Sequence, residues 1–343
     1  MRKMLNTLYV TTPDAYLARE NDNVLVQVKS EIRFRIPIHN LEGIVSFGYC
    51  GASPALMALC AERGVALSFL TESGFFLARV TGSVHGNVLL RRSQYRMADA
   101  GRDSLNLASS FILAKIANCR TVLLRAIRDH EETINVEEVR SAVERLAKQM
   151  QAVENATSLE ILRGIEGDAA RTYFSVFDHL ILVNKQDFFL YDRNRRPPLD
   201  NMNTLLSFLY TLLAHDVQAA LETVGLDPAV GFLHAERPGR PSLALDLMEE
   251  LRHFLADRLA LSLVNRKQIS GVGFRQKESG GVVMDESTRK VVIASWQKRK
   301  QEEVMHPFLN ERIETGLIPC AQAMLLARYL RGDLDDYPPF FWK

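Results

Sequence analysis

The sequence has almost no excess of charge of either sign, since 42 Lys and Arg stand against 41 Asp and Glu in 343 residues. The resulting net charge of +1 excludes a uniformly basic protein that coats nucleic acid, although a local basic patch remains compatible with it. The chain also lacks a run of about 18 uncharged apolar residues, so we expect no membrane span. The apolar run after Arg2 and Lys3 is too short for a signal peptide.

Cysteine is scarce as well. The four cysteines are far apart in the chain and form no CxxC pair: Cys50, Cys60, Cys119 and Cys320. This spacing excludes a disulfide framework and a cysteine-based zinc site. We therefore expect a cytoplasmic protein in which each cysteine is a small buried side chain.

The chain has the apolar content of an ordinary globular protein, with 47% hydrophobic and 24% charged residues. Its length exceeds the roughly 250–300 residues at which a single hydrophobic core stops growing. The sequence therefore predicts two domains.

Short apolar or alternating runs fill the first 82 residues and predict β-strands. These runs are Leu5–Thr11, Tyr16–Ala18, Val24–Val28, Arg33–Pro37, Gly43–Phe47, Val65–Leu70 and Phe75–Val80. Turn residues at 20–23 predict a hairpin. One helix is expected from Pro54 to Arg63, ending at Gly64 in a left-handed cap. We predict a sandwich-like β domain over residues 1–95.

Helical periodicity dominates from Ser104 onward. Residues 83–100 resemble a linker and helix entry that carries a basic cluster at 91–96. Helices are predicted near 104–129, 137–156, 158–185, 201–224, 242–264 and 318–332. The fold class is therefore α+β, with a larger all-α domain over residues 96–343.

Glu166 is the first residue with unexpected chemistry. It lies four residues after Leu162 and three before Ala169, on or beside the apolar stripe of its helix. A carboxylate there is costly unless it is paired or binds a metal. Three interpretations stay open: a boundary residue with a buried stem, an ion pair with Arg163 or Arg171, or a metal ligand.

A second candidate site surrounds His234. A stretch rich in Pro and Gly separates it from Ser242, which we expect to be the N-cap of the 242–264 helix. On that helix Asp246 and Glu249 are three residues apart and project from one face. One imidazole and two acids suit Mn²⁺ or Mg²⁺. A structural histidine, with acids favoured by the helix dipole, is the competing interpretation.

Two segments are strongly basic. One is the loop 193–198, and the other is 265–300, where nine Lys and Arg accompany three acids. Such clusters bind phosphate groups, although a solvated flexible loop has the same composition. The glycines at 271, 273, 280 and 281 do not complete a nucleotide-binding GxGxxG motif.

Taken together and in this order, these features resemble the CRISPR-associated integrase family, called CRISPR-associated protein one, and most closely its type I members. The matching strings are LNTLYVTTPDAYLARENDNVLVQ from Leu5, PIHNLEGIVSFG from Pro37, EGDAARTYF from Glu166, RNRRPPLDNMNTLLSFLYTLL from Arg193, GFLHAERPGRPSLALDLMEELR from Gly231 and NRKQI from Asn265. The resemblance covers nearly the whole chain.

The resemblance implies an assembly and a reaction. Family members form homodimers through N-terminal β domains, and the small CRISPR-associated protein two bridges two dimers into a heterohexamer. The complex inserts a double-stranded DNA fragment into the CRISPR repeat array, by attack of a 3′-hydroxyl on a phosphodiester. Some systems add an end-processing nuclease, CRISPR-associated protein four.

The resemblance also implies the site. Glu166 and His234 correspond to metal ligands of the family, with Mg²⁺ or Mn²⁺ as the ion. Asp246 and Glu249 correspond to the paired acids, and Glu249 replaces the Asp of some members. Asp246 is then a further ligand or a group that orients His234. The residues expected to hold the DNA backbone are Arg195, Arg196, Arg240, Arg266 and Lys267.

Two other functions stay open at this stage. One is a structure-selective nuclease on branched DNA, because disintegration is the reverse of integration. The other is a non-catalytic scaffold that binds DNA, in which the acids are ordinary ion-pair partners. The acidic and aromatic tail at 333–343 either docks a partner or packs on its own domain.

Overall fold

The computed structural model describes residues 7–41, 43–48, 50–71, 76–80, 82, 88–194 and 196–343. The chain divides into two compact units. The first consists of residues 1–85 with 300–302, and the second of residues 86–299 with 303–343.

The N-terminal unit contains two four-stranded sheets and one helix. Its elements are β1 (Thr7–Val10), β2 (Ala15–Glu20), β3 (Asn23–Val28), β4 (Glu31–Pro37), β5 (Gly43–Phe47), β6 (Gly51–Ala52), α1 (Pro54–Arg63), β7 (Ala66–Leu70) and β8 (Phe76–Val80). The sheet orders are β1-β5-β7-β8 and β4-β3-β2-β6. Leu17, Ile44 and Leu67 lie in one shared apolar core, which confirms the predicted strand-rich domain.

The hairpin and the helix ends of the N-terminal unit are as predicted from the sequence. Glu20 pairs with Asn23 across the β2–β3 hairpin, and α1 begins and ends at the expected residues. The Ser53 hydroxyl accepts a hydrogen bond from the Leu56 amide at 3.2 Å, and Gly64 ends the helix at φ 66°. The first residues of two predicted strands, Leu5 and Phe75, lie outside the described part of the chain.

The second unit is built mainly of helices. Its elements are α2 (Val88–Asp99), α3 (Gly101–His130), α4 (Val136–Glu154), α5 (Leu159–Ser175), α6 (Asn201–Thr223), α7 (Ser242–Met248), α8 (Arg258–Asn265), β9 (Phe274–Gln276), β10 (Val282–Met284), α9 (Glu286–Lys300), β11 (Glu303–Met305), β12 (Arg312–Glu314) and α10 (Ile318–Leu330). Two short antiparallel hairpins, β9–β10 and β11–β12, accompany the helices.

The basic segment at 91–96 belongs to a helix rather than to a linker. It lies within α2, so the predicted boundary between residues 95 and 96 falls inside that helix, ten residues after the division between the units. The buried Gln94 amide donates hydrogen bonds to the carbonyl oxygens of Asp227 at 2.8 Å and Val230 at 2.9 Å. These contacts tie α2 to the helical unit.

The predicted helices differ from the observed ones in three places. The 242–264 helix is α7, a break, a π-helix at Arg252–Asp257, and then α8. Pro241 is its N-cap, and the Ser242 hydroxyl instead donates to the Ala235 carbonyl at 3.2 Å. The 158–185 helix ends at Ser175, and the basic segment 265–300, for which a flexible loop was one of two interpretations, contains β9, β10 and α9.

Helix α3, with 30 residues, is the longest helix of the described part of the chain. Among the described residues it is the one helix long and apolar enough to cross a membrane by length and composition. Its most apolar window is 61% buried inside the protein, as in the core helix of a globular domain. Phe111, Ile112 and Ile116 on this helix are fully buried.

The C-terminal tail packs on its own unit, as one of the two sequence interpretations expected. Phe340 and Trp342 are buried, and the Trp342 ring lies between the guanidinium groups of Arg125 at 4.0 Å and Arg258 at 4.4 Å. The Asn118 side chain donates to the Phe340 carbonyl at 2.8 Å and accepts from the Trp342 amide at 2.8 Å.

A buried carboxylate, Glu250, anchors the same tail. It accepts hydrogen bonds from the Tyr337 hydroxyl at 2.7 Å, the Phe340 amide at 2.7 Å and the Gln322 amide group at 2.8 Å. The tail therefore supplies two of these three donors to a buried carboxylate, and the loss of such donors is energetically expensive.

Removal of the Phe340 ring tests how much the packed tail contributes to the stability of the protein. Because this ring is fully buried, we expect Phe340→Ala to lower the free energy of unfolding by about 3–5 kcal/mol. Phe308, which is 48% exposed in the same unit, is the matched control. We expect Phe308→Ala to cost under about 1 kcal/mol in the same urea titration. Equal effects of the two substitutions would contradict a packed tail.

The burial of Glu250 also predicts that the free energy of unfolding depends on pH. Burial raises its pKa from 4.5 to about 7, although the bonds from Phe340, Tyr337 and Gln322 act in the opposite direction. The folded protein then retains a proton that the unfolded chain releases, so the free energy of unfolding falls as pH rises between these values. Glu250→Gln should reduce the difference in stability between about pH 5 and about pH 7.5. An unchanged difference in urea unfolding would contradict this assignment.

Candidate active site

A buried lysine lies at the centre of the candidate site. Lys115 is on α3, and its side chain is only 3% exposed. Its ammonium group donates a hydrogen bond to Glu166 on α5 and lies 2.8 Å from Glu249 Oε2, at the end of α7. Three separate helices therefore bring one cation and two carboxylates together.

Glu166 thus has a different partner from those considered from sequence. Arg163 donates to the Leu233 carbonyl at 2.8 Å, and Arg171 lies 3.4 Å from Asp168. Glu166 is paired with Lys115 and remains 27% exposed, so it forms the solvent-facing side of the cluster.

Arg252 is the second cation of the cluster. Its guanidinium lies 2.9 Å from Glu249 Oε1 and stacks over the Tyr210 ring at 5.1 Å. Burial disfavours the Glu249 carboxylate, but Arg252 and Lys115 hold its pKa well below the usual range. Burial likewise opposes the charge of Lys115, whereas Glu249 and Glu166 raise its pKa. Glu249, Lys115 and Arg252 are therefore charged near neutral pH.

His234 and Asp246 form the second half of the site. Asp246 Oδ1 lies 2.6 Å from His234 Nδ1 and accepts a hydrogen bond from the His234 amide at 3.0 Å. Its Oδ2 accepts from the amides of Phe232 at 2.6 Å and Leu233 at 3.0 Å. Asp246 therefore fixes both the imidazole and the loop that carries it.

These contacts favour one of the two roles predicted for Asp246. Both of its oxygens are engaged inside the protein, so it orients His234 rather than facing a ligand. A carboxylate at Nδ1 favours the tautomer whose proton is on Nδ1, which leaves the Nε2 lone pair for a metal or a substrate.

The residues fit a hard divalent cation by chemistry. Glu249 Oε2 is buried and has no hydrogen bond, although Lys115 lies beside it as an ion-pair partner. His234 is close enough to contribute to the lowered pKa of Glu249. Carboxylate oxygens and imidazole nitrogen suit Mg²⁺ and Mn²⁺. In the described segments no three His, Cys, Asp or Glu side chains lie close enough together to hold a metal ion as they stand, so binding would require Lys115 to move.

Behind the site lies a buried polar network on the π-helix. Asp257 accepts from the Tyr210 hydroxyl at 2.7 Å and lies 2.6 Å from His253 Nδ1. The His253 ring packs edge-on against Tyr173 at 4.6 Å. A π-turn is typical of functional sites, and here it places Arg252, His253 and Asp257 inside the protein.

Two arginines contact the backbone on either side of His234, Arg163 at the Leu233 carbonyl (2.8 Å) and Arg240 at the Ala235 carbonyl (3.5 Å). Burial and Arg237 lower the pKa of Arg240, with Asp246 opposing them and Arg196 and Arg163 adding to the effect. The charges of Arg163, Arg196 and Arg237 thus act on Arg240, and these four arginines are named here the arginine cluster. Such a cluster suits phosphate oxygens.

Three further residues predicted to hold the DNA backbone are not members of the arginine cluster. Arg195 lies outside the described part of the chain. Arg266 and Lys267 are exposed at the end of α8, and their expected contact with DNA stays a prediction.

The two cations of the cluster, Lys115 and Arg252, were not predicted from the sequence. Lys115 interrupts the apolar run FILAKIANC at 111–119, and a charge within such a run was an available signal. Its partners are 51 residues away at Glu166 and farther still at Glu249, so no local pattern could identify them.

Replacement of Asp246 tests its orienting role. Asparagine keeps one oxygen that can accept hydrogen bonds, but an NH₂ group replaces the other oxygen. That NH₂ group would then face groups that themselves donate to Asp246. We expect Asp246→Asn to lower the free energy of unfolding by about 3 kcal/mol. The exposed Asp335 is the control, and Asp335→Asn should stay within about 0.5 kcal/mol of the wild type. A small effect at Asp246 would show that these bonds do not hold the loop.

The sequence and the fold are similar to those of known proteins. A relative from Chlorobaculum tepidum named CRISPR-associated endonuclease Cas1 1 is 52% identical over 343 residues, covering 100% of both chains. A second, CRISPR-associated endonuclease Cas1 2 from Rhodospirillum rubrum, is 50% identical and also covers 100% of both. The solved Cas1 protein TM1797 from Thermotoga maritima shares the fold, with a TM-score of 0.83 at 22% identity over 98% of this chain and 100% of that one.

The family model described as CRISPR associated protein Cas1 matches residues 8–298. This range includes Lys115, Glu166, His234, Asp246 and Glu249, so the whole cluster lies within the matched region. The chain belongs to the Cas1 family of CRISPR-associated proteins.

Proposed function

We propose that this protein is a metal-dependent DNA endonuclease and integrase that inserts double-stranded DNA fragments into the CRISPR repeat array. One observation supports the proposal: Glu166 and Glu249 meet at Lys115, and an Asp246-bound His234 is near enough to act on the pKa of Glu249. Membership of a family whose close relatives are named endonucleases supports the same reaction class.

Glu166, Glu249 and His234 Nε2 would hold Mg²⁺ or Mn²⁺. The bound ion supplies Lewis-acid stabilisation of the charge that develops on a reacting phosphate. Asp246 holds the imidazole through Nδ1, so Nε2 is the nitrogen left to bind the ion.

The reaction exchanges one phosphodiester for another. The 3′-oxygen of the fragment forms a bond to phosphorus at the repeat end, the existing bond from phosphorus to the strand's 3′-oxygen breaks, and a new 3′-hydroxyl is released. The number of phosphodiester bonds is unchanged, so the reaction requires no ATP. The arginine cluster would hold the DNA backbone while the hydroxyl is positioned.

The proposed assembly is a homodimer through the β domains, bridged by CRISPR-associated protein two in a cytoplasmic heterohexamer. The exposed edge strand β4 supports a protein contact on the N-terminal unit, because Ile32 and Phe34 on it are 49% and 55% exposed. End processing by CRISPR-associated protein four belongs to the same proposal.

Cleavage of branched DNA is the second candidate function. It is favoured by the endonuclease name of the relatives, and it uses the same site because disintegration reverses integration. The two candidates differ in the product: integration joins a labelled fragment to the target, whereas cleavage releases fragments without joining them.

An integration assay tests the proposal directly. Purified protein, its small partner, a labelled fragment with free 3′-hydroxyls and a supercoiled plasmid with one repeat are mixed with Mn²⁺ or EDTA. We expect label on the plasmid only with Mn²⁺. His234→Ala and Glu166→Ala should each reduce joining by at least about 100-fold.

Controls separate catalysis from folding. His130 is exposed in the same unit, and His130→Ala should join as the wild type does. Circular dichroism and sedimentation should show that His234→Ala keeps its fold and dimer. Normal joining by His234→Ala would remove it from the site, and metal-dependent cutting of branched DNA without joining would favour the repair-type nuclease.

A further inference from the structure

The cluster around Lys115 already contains its own positive charge. Its ammonium is buried between Glu166 and Glu249, and Arg252 occupies the other oxygen of Glu249. Two carboxylates and two cations balance one another. Without such partners, two acids this close would repel each other and suffer a large desolvation cost.

Lys115 and Arg252 differ in how easily each can move away from the carboxylates. Arg252 stacks on Tyr210 and is 9% exposed, so the aromatic ring and the surrounding helix hold it in place. Lys115 is a point charge on a flexible four-carbon chain, and its partner Glu166 is partly open to solvent. Lys115 is therefore the cation that another cation can replace.

The atoms that Lys115 contacts are those that would coordinate a divalent ion. Its ammonium lies 2.8 Å from Glu249 Oε2, the buried oxygen without a hydrogen bond. A metal bound to Glu166 and Glu249 and an ammonium between the same oxygens are mutually exclusive, since both need one position and like charges repel.

We propose that Lys115 is a built-in counter-ion that holds Glu166 and Glu249 together in the metal-free protein and is displaced when a divalent ion binds. This inference rests on the proposed metal-dependent function and extends it to the mechanism of metal loading. Metal binding is then an exchange of cations, and its affinity is lowered by the lysine that must move.

The test compares Mn²⁺ binding with and without the lysine charge. Free Mn²⁺ is measured by its solution EPR signal as it is titrated into DNA-free protein. We expect Lys115→Met to bind Mn²⁺ about tenfold tighter or more, because a repelling charge is gone. Its melting temperature in EDTA should fall below that of the wild type, and Mn²⁺ should raise it by more.

Two further variants control for charge and site. Lys115→Arg keeps the charge and should bind Mn²⁺ no tighter than the wild type. Lys185 forms a half-exposed pair with Asp178, and Lys185→Met should leave Mn²⁺ affinity unchanged. Glu166→Gln defines binding at the site, since it should remove the tight Mn²⁺ class.

An NMR measurement on the wild-type protein tests the proposal without any substitution. The ammonium resonance of a buried, paired lysine exchanges slowly enough to be observed by ¹H–¹⁵N NMR. The Lys115 resonance should shift or disappear on saturation with Mg²⁺. A resonance that persists unchanged at saturation would overturn the proposal.

The outcomes distinguish this inference from the proposed function. Mn²⁺ binding that Glu166→Gln abolishes, together with equal or weaker binding by Lys115→Met, would overturn the counter-ion role alone. Absence of Mn²⁺ binding in the wild type and every variant would overturn both. Tighter binding by Lys115→Met, with unchanged binding by Lys185→Met, would support the counter-ion role.

Discussion

The burial of like charges is the constraint on which the helical unit depends. Glu166 and Glu249 approach each other from two helices, and the ammonium of Lys115 from a third, together with Arg252, makes that approach tolerable. The charges are balanced locally, which a whole-chain net charge of +1 does not reveal. The interior of this unit is therefore arranged around compensation of charge as much as around apolar packing.

The same constraint extends outward through neighbouring residues. Glu249 is followed by Glu250, which anchors the C-terminal tail, and Arg252 begins the π-helix that holds Asp257. On α3, Asn118 lies one turn from Lys115 and binds the tail backbone. The tail and the π-helix thus support the elements that carry the site, and rigid support of this kind keeps reactive groups in position.

Local features of the fold were predictable, because local patterns determine them. The Ser53 cap, the Gly64 stop and the hairpin between β2 and β3 depend on residues a few positions apart. The break of the 242–264 helix was not predictable. It depends on buried polar partners of Glu250, Arg252 and Asp257 that come from distant segments.

The candidate site was likewise predictable only in part. The i, i+3 spacing and the preceding loop suggested that Asp246 and Glu249 face His234, and the contact between Asp246 and His234 is present. Lys115 could not be assigned, because its role exists only once α3, α5 and α7 meet. Residue patterns thus identify chemistry within one element, whereas compensation between elements requires the three-dimensional structure.

Anomalous diffraction from crystals grown with Mn²⁺ tests the central claim most directly. A manganese peak bonded to Glu166, Glu249 and His234 Nε2, with the Lys115 ammonium moved away from both carboxylates, is the expected result. A saturating Mn²⁺ soak that leaves Lys115 between Glu166 and Glu249, with no manganese at the site, would contradict it.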